Sequence, residues 1–313
     1  MQVLALDTSA YTTSLALVNN MEQLIWEGRE LLPVVKGRLG LRQSEAVFAH
    51  LKNLSPLWAA GSEQLNGKKL VAVAAATRPR PVAGSYMPVF KVGQAFGTFV
   101  AQTMGLQFIP TSHQEGHIMA GIWSAGLSPG RYLVVHLSGG TTELLAVSED
   151  PPGNLDIQII GGSSDLHAGQ FIDRLGVAMG FEFPAGKKLE EMARRGSAGA
   201  VKLAVAVNGT EISFSGPASQ AERMLSQGCP SEEIARAVEV CLADSLALAL
   251  TAAPDLASFR GLLLVGGVAS NQFIRKRLVE KFQELPVGFT GPGFSVDNAV
   301  GVAVQAVRKL AYS

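Results

Sequence analysis

Two histidines four residues apart are the first feature of this sequence that could do chemistry. They are His113 and His117 in the stretch "TSHQEGHIMAG" (111–121). On a helix this spacing projects both imidazoles from one face, as a metal site requires. Histidines that cap helices or fill polar pockets give the same pattern, so the motif alone leaves both readings open. A metallopeptidase is disfavoured because Glu115 lies midway between the histidines, out of register with the known zinc-peptidase motifs.

Two further residues are candidate metal ligands. His136 directly precedes the stretch "LSGGTTEL", and Asp297 lies in "FSVDNAVG", where the last predicted helix begins. Imidazole nitrogens combined with a carboxylate oxygen suit zinc or ferrous iron equally well. The sequence therefore predicts one divalent metal without choosing between these two.

A second chemical feature is a turn that the sequence contains twice. "DTSAYTTSLALV" (7–18) and "HLSGGTTELLAV" (136–147) align so that Ser9 matches Ser138 and Val18 matches Val147. Tight turns between strands expose backbone N–H groups and hydroxyls, and two such turns could hold the phosphates of one ligand. Turns that join strands also share a polar composition for unrelated reasons, which is the competing explanation. The phosphate-binding candidates are Ser9, Ser138, Gly139, Gly140 and Thr141.

The order of apolar segments predicts an α/β fold in which one unit is duplicated. Each half begins with three short strands around its copy of the turn and continues with helices and one buried strand. Such a duplication predicts two lobes that face each other across a nucleotide cleft. We place the N-terminal lobe at residues 1–110 plus 297–313 and the C-terminal lobe at 111–296.

Two other stretches carry glycine or carboxylate groups suited to a nucleotide. In "LLLVGGVASN" (262–271) a buried strand is followed by Gly266 and Gly267, which lets the backbone approach a ligand closely. This stretch is neither a dinucleotide fingerprint nor a P-loop. In "GGSSDLHAGQFIDRLG" (161–176), Asp165 and Asp173 could accept ribose hydroxyls, or could simply complement a helix dipole.

Composition limits the classes of protein that fit. The 313 residues are 47% hydrophobic and 17% charged with a net charge of zero, so disorder and a global attraction to nucleic acid are disfavoured. Cys229 and Cys241 lie twelve residues apart and indicate neither a disulfide framework nor a thiolate zinc site. No signal peptide or spanning segment is evident, so we expect a cytoplasmic protein without a membrane anchor.

Seven motifs in order resemble those of the TsaD family, formerly called O-sialoglycoprotein endopeptidases or glycoproteases. They are "DTSAYTTS", "SHQEGH", "LSGGTTEL", "HAGQFIDRLG", "ISFSG", "LVGGVASN" and "VDNAVG", and they extend over nearly the whole chain. The resemblance implies the actin-like ATPase (ASKHA, ribonuclease H-like) fold. It also implies a transferase that passes threonylcarbamoyl from threonylcarbamoyl-adenylate to N6 of the tRNA adenosine beside the anticodon, releasing AMP.

The resemblance also implies roles for individual residues. His113, His117 and Asp297 resemble the metal ligands, and His136 occupies a position where some members place a tyrosine ligand. The implied cofactors are a divalent metal and ATP, AMP or threonylcarbamoyl-adenylate. The residues implied to hold phosphate or adenosine are Ser138, Gly139, Gly140, Asp173, Gly186, Gly266, Gly267 and Asn271.

The sequence departs from the family where transfer chemistry is expected. Tyr11 and Thr12 stand where the family has an acidic pair, which leaves Asp7 and Thr12 as the catalytic candidates of the first turn. Gln170 and Lys187 also replace family residues, and the region 33–45 lacks the family pattern. A neutral hydroxyl is a poor proton acceptor at neutral pH.

Two functions therefore remain: a divergent threonylcarbamoyl transferase, and a non-catalytic nucleotide-binding paralogue that acts as a partner or regulatory subunit. A small-molecule kinase with Asp7 or Asp165 as base would leave the histidine pair unexplained. The family resemblance further implies a homodimer or a protein partner through the N-terminal lobe. Direct binding of tRNA is not indicated by the charge of the chain.

Overall fold

In the computed structural model, which describes residues 1–33 and 41–312, the chain divides into two α/β units. Unit 1 consists of Met1–Pro129, Glu149–Asp156 and Gly291–Ser313, and unit 2 of Gly130–Ser148 and Ile157–Thr290. The lobe boundaries drawn from the sequence differ chiefly in residues 111–129, which join unit 1 here because their helix packs within it. Most of the atypical region 33–45 lies outside the described residues.

Unit 1 is built on a five-stranded sheet with the order β3-β2-β1-β4-β5. Its strands are β1 (Gln2–Thr8), β2 (Thr12–Asn19), β3 (Leu24–Leu31), β4 (Leu70–Ala76) and β5 (Gln107–Thr111). The first three form an antiparallel meander, and β4 and β5 add in parallel. Its helices are α1 (Gln43–Ser62), α2 (Phe90–Met104), α3 (His113–Ser124) and, at the end of the chain, α9 (Val300–Ala311).

Unit 2 repeats this arrangement around a seven-stranded sheet with the order β12-β11-β6-β7-β8-β10-β9. Its strands are β6 (Arg131–Leu137), β7 (Thr142–Glu149), β8 (Leu155–Ser163), β9 (Ala206–Asn208), β10 (Glu211–Ser213), β11 (Leu262–Val265) and β12 (Val287–Phe289). Its helices are α4 (Ala168–Ala178), α5 (Gly186–Ala193), α6 (Ser215–Ser226), α7 (Ser231–Thr251) and α8 (Gln272–Lys281). The order β8-β7-β6-β11-β12 matches β3-β2-β1-β4-β5, as the predicted duplication requires.

The alternation of side chains along β1 divides the core of unit 1 into two layers. Leu4 and Leu6 pack in a cluster with residues of α1 and α2, whereas Val3 and Ala5 pack in a cluster with α9. The layer that includes α9 is rich in alanine and valine, so the helix can lie close to the sheet. Because α3 covers α9 as well, residues 300–308 are all buried.

Helices α3 and α9 cross in close backbone contact. A Cβ atom built on Gly301 would overlap the carbonyl oxygen of Gly116 and would lie 2.6 Å from the backbone nitrogen of Ala120. The contact between the two helices therefore requires glycine at position 301. Separation of these helices would move every residue that α3 presents at its first turn.

The sequence predicted most of these elements, with two kinds of difference. The stretch "SEAVFAHLKNL" (44–54) has helical spacing in the sequence, but helix α1 continues past Pro56 to Ser62, because Leu57 and Trp58 pack on the core. The predictions did not include β5, β12, the β9–β10 hairpin or α6, which are short or only weakly periodic. Across residues 1–33 and 41–312, none of the helices combines the length and apolar character that a bilayer-spanning segment needs.

Replacement of Gly301 by alanine is expected to destabilise the protein by about 3 kcal/mol, because the added methyl must push two helices apart. Urea unfolding followed by circular dichroism measures this change. Gly216→Ala in α6 is the matched control, since a Cβ there meets open space. That variant should be neutral or slightly more stable. Equal effects of the two substitutions would contradict the packing argument.

Candidate functional site

Three ligand atoms converge at the start of α3 in unit 1. The Nε2 atoms of His113 and His117 are 3.1 Å apart, and Oδ1 of Asp297 lies 3.5 Å and 3.1 Å from them respectively. Helix α3 begins at His113 because "SHQE" is a capping box, in which Ser112 and Glu115 satisfy each other's backbone N–H groups. The helical spacing predicted for the two histidines is thus realised, and Glu115 serves to cap the helix.

The first copy of the repeated turn supports these ligands from behind. Asp7, at the end of β1, lies with Oδ2 2.7 Å from Nδ1 of His113, and Ser9 donates its hydroxyl to Oδ2 of Asp297 at 2.5 Å. Both residues are buried. A carboxylate behind a histidine is the usual outer-sphere partner of a metal-bound imidazole, because it fixes the ring and its tautomer. The Ser9 hydroxyl thus donates to Asp297, and its predicted role in binding phosphate stays a prediction.

The electrostatics of this group favour a cation. Burial lowers the pKa of His113, but the carboxylates of Asp7 and Asp297 outweigh it and raise that pKa well above 6.5. Burial raises the pKa of Asp297, and His113 and His117 reverse this and hold the pKa well below its ordinary value. Two carboxylates around one imidazole therefore stabilise a positive charge, whether it is a proton or a metal ion.

The donor set fits a divalent metal. Ions held by imidazole and carboxylate at about 2.1 Å require ligand atoms on the order of 3 Å apart, which is close to the separations among His113, His117 and Asp297. In the described part of the chain, this is the one group of three histidine, cysteine or acidic side chains so gathered. Two nitrogens and one oxygen suit zinc or ferrous iron.

A buried histidine on α1 holds the turn that carries Ser9. The Nε2 atom of His50 lies 2.8 Å from the Ser9 carbonyl, and Nδ1 lies 2.8 Å from the Thr13 hydroxyl. A carbonyl can only accept, so Nε2 carries the proton and Nδ1 accepts from Thr13. Asn53 donates to the same hydroxyl. In this neutral tautomer both ring nitrogens of His50 have a hydrogen-bond partner. Burial favours the neutral form and lowers the pKa of His50.

The remaining residues of the first turn face different surroundings. Thr12 begins β2 and is buried, whereas Tyr11 is 40% exposed. The Oδ1 atom of Asp7 is buried without a hydrogen-bond partner. Asp7 is thus the acidic group of this turn next to the candidate metal site. The predicted catalytic roles of Asp7 and Thr12 stay predictions.

In unit 2 the second copy of the turn remains open. The backbone of Ser138 donates to Thr141, and Gly139 and Gly140 are exposed, with free space where a Cβ would lie. The turn rests on the start of α4, where a Cβ on Gly169 would come within 2.6 Å of the Cα of Gly139. The two copies therefore differ. Asp7 and Ser9 of the first copy contact the candidate metal ligands, whereas the second copy leaves its backbone accessible.

Further candidates for nucleotide binding follow β11, which lies beside β6 in parallel. Gly266 has a φ of 93° and packs against the Leu137 carbonyl, so only glycine fits there. Gly267 is open, and Asn271 caps α8 through Ile274. These loops lie at the carboxyl ends of adjacent strands, the edge at which open α/β sheets bind ligands.

Three other predicted site residues of unit 2, Asp173, Gly186 and His136, lie in separate environments. Asp173 accepts a hydrogen bond from the backbone of Ala185, and Gly186 is the first residue of α5. Burial raises the pKa of Asp173 despite that hydrogen bond. His136 is buried near the end of β6, opposite Glu143. His136 belongs to unit 2 and not to the group of three ligands, so its predicted role as a fourth ligand stays a prediction.

Comparison with known proteins identifies the family. The model of TsaD, tRNA N6-adenosine threonylcarbamoyltransferase, matches residues 39–304. The chain belongs to the TsaD family. The predicted resemblance is thereby confirmed, and the match extends from the region before α1 into α9.

Solved structures place this TsaD-family chain in the actin-like ATPase fold, as predicted. HypF from T. kodakarensis is 15% identical with a TM-score of 0.68, and the match covers 99% of this chain and 48% of that one. Component A of (R)-2-hydroxyglutaryl-CoA dehydratase from Acidaminococcus fermentans is 15% identical with a TM-score of 0.58 and 99% coverage of both chains. The activator of 2-hydroxyisocaproyl-CoA dehydratase from Clostridium difficile, solved with bound ADPNP, is 15% identical with a TM-score of 0.54, covering 100% and 97%.

Asp165 has a structural partner that its sequence motif did not reveal. Its carboxylate accepts hydrogen bonds from the hydroxyls of Ser213 and Ser215 and from the backbone of Leu166 and Phe214. Burial raises the pKa of Asp165, but these hydrogen bonds outweigh it and hold the pKa below its ordinary range. In this TsaD-family chain, the Asp165 carboxylate therefore joins the "SSDLH" loop to "ISFSG" through hydrogen bonds within the protein.

Sequence reasoning missed the residues that support the ligands. No motif linked Ser9 to Asp297 or His50 to the first turn, since these pairs are 288 and 41 residues apart. One signal was available for Glu115. A serine followed three residues later by glutamate, before an apolar run, is a capping box that predicts a helix start at His113.

The buried neutral His50 is expected to make stability depend on pH. Its pKa is lowered in the folded protein, so protons bind more readily in the unfolded chain, where the pKa is near 6.5. The free energy of unfolding should fall as the pH decreases below about 6.5. His50→Gln keeps a donor and an acceptor without the titration, so its unfolding free energy should fall less steeply between pH 7 and 5. Chemical denaturation at each pH tests this, and parallel curves would contradict it.

Proposed function

We propose that this TsaD-family chain is a transferase that passes threonylcarbamoyl from threonylcarbamoyl-adenylate to N6 of the tRNA adenosine beside the anticodon. The observation that carries the proposal is the convergence of His113, His117 and Asp297 on one point, supported by Asp7 and Ser9. Buried outer-sphere contacts to two of the three ligand candidates are typical of metal sites, because they fix the positions of the ligands.

We further propose that unit 2 binds the adenine nucleotide, as ATP, AMP or threonylcarbamoyl-adenylate. The open backbone of Gly139 and Gly140 after β6 and of Gly267 after β11 can approach phosphate closely. Bound ADPNP in the Clostridium difficile activator, which shares the fold, supports this assignment. Asp173, Gly186 and Asn271 are the candidates for contacts to the adenosine.

The reaction needs charge stabilisation more than a covalent intermediate. The N6 amine attacks the carbonyl carbon, the bond from that carbon to the phosphate oxygen breaks, AMP leaves with the electron pair, and N6 loses a proton. A bound divalent metal would supply Lewis acidity toward the adenylate's phosphate or carbonyl oxygens. Asp7 orients His113 and Ser9 orients Asp297, so both fix the ligand positions. Asp7 is our candidate for the proton acceptor, and the neutral, buried Thr12 can only position groups.

A second candidate function rests on the first turn itself. Tyr11 and Thr12 occupy the positions at which the family resemblance implies an acidic pair, and Thr12 is buried. A chain that binds metal and nucleotide but lacks the proton acceptor would act as a non-catalytic partner or regulatory subunit in the same tRNA modification.

Transfer assays separate the two functions. With tRNA, threonylcarbamoyl-adenylate and partner proteins, the native chain should yield threonylcarbamoyladenosine, detected by mass spectrometry of digested tRNA. His117→Ala should reduce the yield at least about 100-fold, because it removes a metal ligand. Asp244→Asn, which changes a partly exposed carboxylate on α7 of unit 2, is the control and should leave the yield unchanged.

The outcome that favours the subunit role is equally specific. The assay must first work with an ordinary family member. If the native chain is then inactive and the double variant Tyr11→Asp and Thr12→Glu is active, the chain is a relative that has lost its transfer activity. Native activity would exclude that role as the sole function.

We also propose that unit 1 binds a protein partner, or a second copy of the chain, through α1 and α2. Exposed apolar side chains gather on these helices: Phe48 and Leu51 on α1, and Phe96, Phe99 and Met104 on α2. Phe99, 68% exposed, lines a groove of about 500 Å³ with Lys91 and Gln94. Exposed aromatic side chains in such numbers are typical of interfaces.

Phe99→Asp is therefore expected to weaken this association at least 10-fold, since a buried interfacial aromatic typically contributes more than about 1.4 kcal/mol. Light scattering after size exclusion measures self-association, and calorimetry measures binding of a candidate partner. Leu248→Asp, an exposed leucine on α7 of unit 2, is the control. If both variants associate as the native chain does, this surface is not the interface.

A further inference from the structure

A buried polar network links α3 to α9 next to the candidate metal group. Its central residues are Glu115 on α3, which is 7% exposed, and Gln305 on α9, which is 1% exposed. Neither is among the metal ligands, and the transfer chemistry described above does not use them. Burial of an amide and a carboxylate at a helix contact has a cost unless every polar atom is satisfied.

Gln305 uses both N–H groups and the oxygen of its side-chain amide to join three segments. Its Oε1 accepts from the Thr111 hydroxyl at 2.5 Å, and its Nε2 donates to Oε1 of Glu115 at 3.0 Å and to the Gly153 carbonyl at 3.1 Å. The amide of α9 is thus bonded to the end of β5, to the first turn of α3 and to the β7–β8 turn. No alternative orientation of the amide satisfies all three partners.

Glu115 joins this network to the start of α3. Its Oε2 accepts from the backbone N–H of Ser112 at 2.8 Å and from the Ser112 hydroxyl at 2.6 Å, while Oε1 accepts from Gln305. All three neighbours are donors, so only a carboxylate can satisfy them together. Because His113 directly follows Ser112, the carboxylate that caps the helix also fixes the position of the first ligand.

A separate set of hydrogen bonds holds the loop that carries Asp297 to the start of α9. Asn298 donates to the carbonyls of Phe294 and Val296 and accepts from Val300, the first residue of α9. A displacement of α9 is therefore transmitted to Asp297. The histidines lie on α3 and the carboxylate precedes α9, so the shape of the ligand group depends on how these two helices are held together.

We infer that Glu115 and Gln305 are positioning residues that set the separation of the metal ligands. The inference rests on the proposed metal site, to which it adds two residues outside the ligand set. Loss of the Glu115–Gln305 hydrogen bond leaves donors facing each other in a buried contact. The helices then shift, and the three ligand atoms no longer match one ion.

Metal affinity, measured by competition with a chromophoric chelator for Zn²⁺, tests this inference on the whole chain. Glu115→Gln introduces an amide where three donors converge and should weaken Zn²⁺ binding by about 10-fold or more. Adding Gln305→Glu to it lets the amide at 115 donate to a carboxylate at 305, although the hydrogen bond from residue 305 to the Gly153 carbonyl is lost. The double variant should therefore recover part of the Zn²⁺ affinity that Glu115→Gln loses.

Glu239→Gln is the matched control. Glu239 is a buried carboxylate of unit 2 whose hydrogen-bond partners are Arg236 and Asn271, away from α3 and α9. This variant should lose stability in urea but keep its Zn²⁺ affinity. Equal loss of affinity in Glu239→Gln, or an affinity of Glu115→Gln within twofold of the native chain, would overturn the inference. A native chain that binds no Zn²⁺ or Fe²⁺ would instead refute the proposed metal site.

Discussion

The arrangement of unit 1 depends on two carboxylates placed on either side of one imidazole. Asp7 ends β1 and Asp297 precedes α9, and both reach His113 at the start of α3. Three segments that are far apart in sequence must therefore meet within hydrogen-bond distance. The close packing that this meeting requires is seen in the burial of residues 300–308 of α9 and in its contact with α3, which has room only for glycine at position 301.

The same constraint gives the two copies of the repeated turn different surroundings. In unit 1 the turn is a support: Asp7 and Ser9 contact metal-ligand candidates, and His50 donates to the backbone carbonyl of Ser9. In unit 2 the turn exposes Gly139 and Gly140 and is held from below by the start of α4. The duplicated element thus has the same strand pairing in both units, with Thr8 opposite Thr13 and Leu137 opposite Thr142, while its side chains differ.

Much of the fold could be predicted because its signals are local. The apolar segments of β1, β2, β6 and β7, the repeated turn and the end of α2 at Gly105 follow from periodicity and from glycine's tolerance of positive φ. The weakly patterned β5, β12 and α6 escaped prediction, since their positions depend on pairing and packing partners distant in sequence. Pro56 would by itself end α1 early, but contacts of Leu57 and Trp58 carry the helix onward.

For the candidate site, the sequence determined the ligand types, the helical spacing of His113 and His117, and membership of the TsaD family. It also singled out Asp297 as a candidate third ligand, and the structure brings this residue to the two histidines. Only the tertiary structure decided that Ser9 contacts Asp297, that Asp165 is used by Ser213 and Ser215, and that Glu115 and Gln305 bridge two helices. The physical reason is one of range. Helical spacing and turn chemistry act over a few residues, whereas a buried polar group takes whichever partner the packing of distant segments provides.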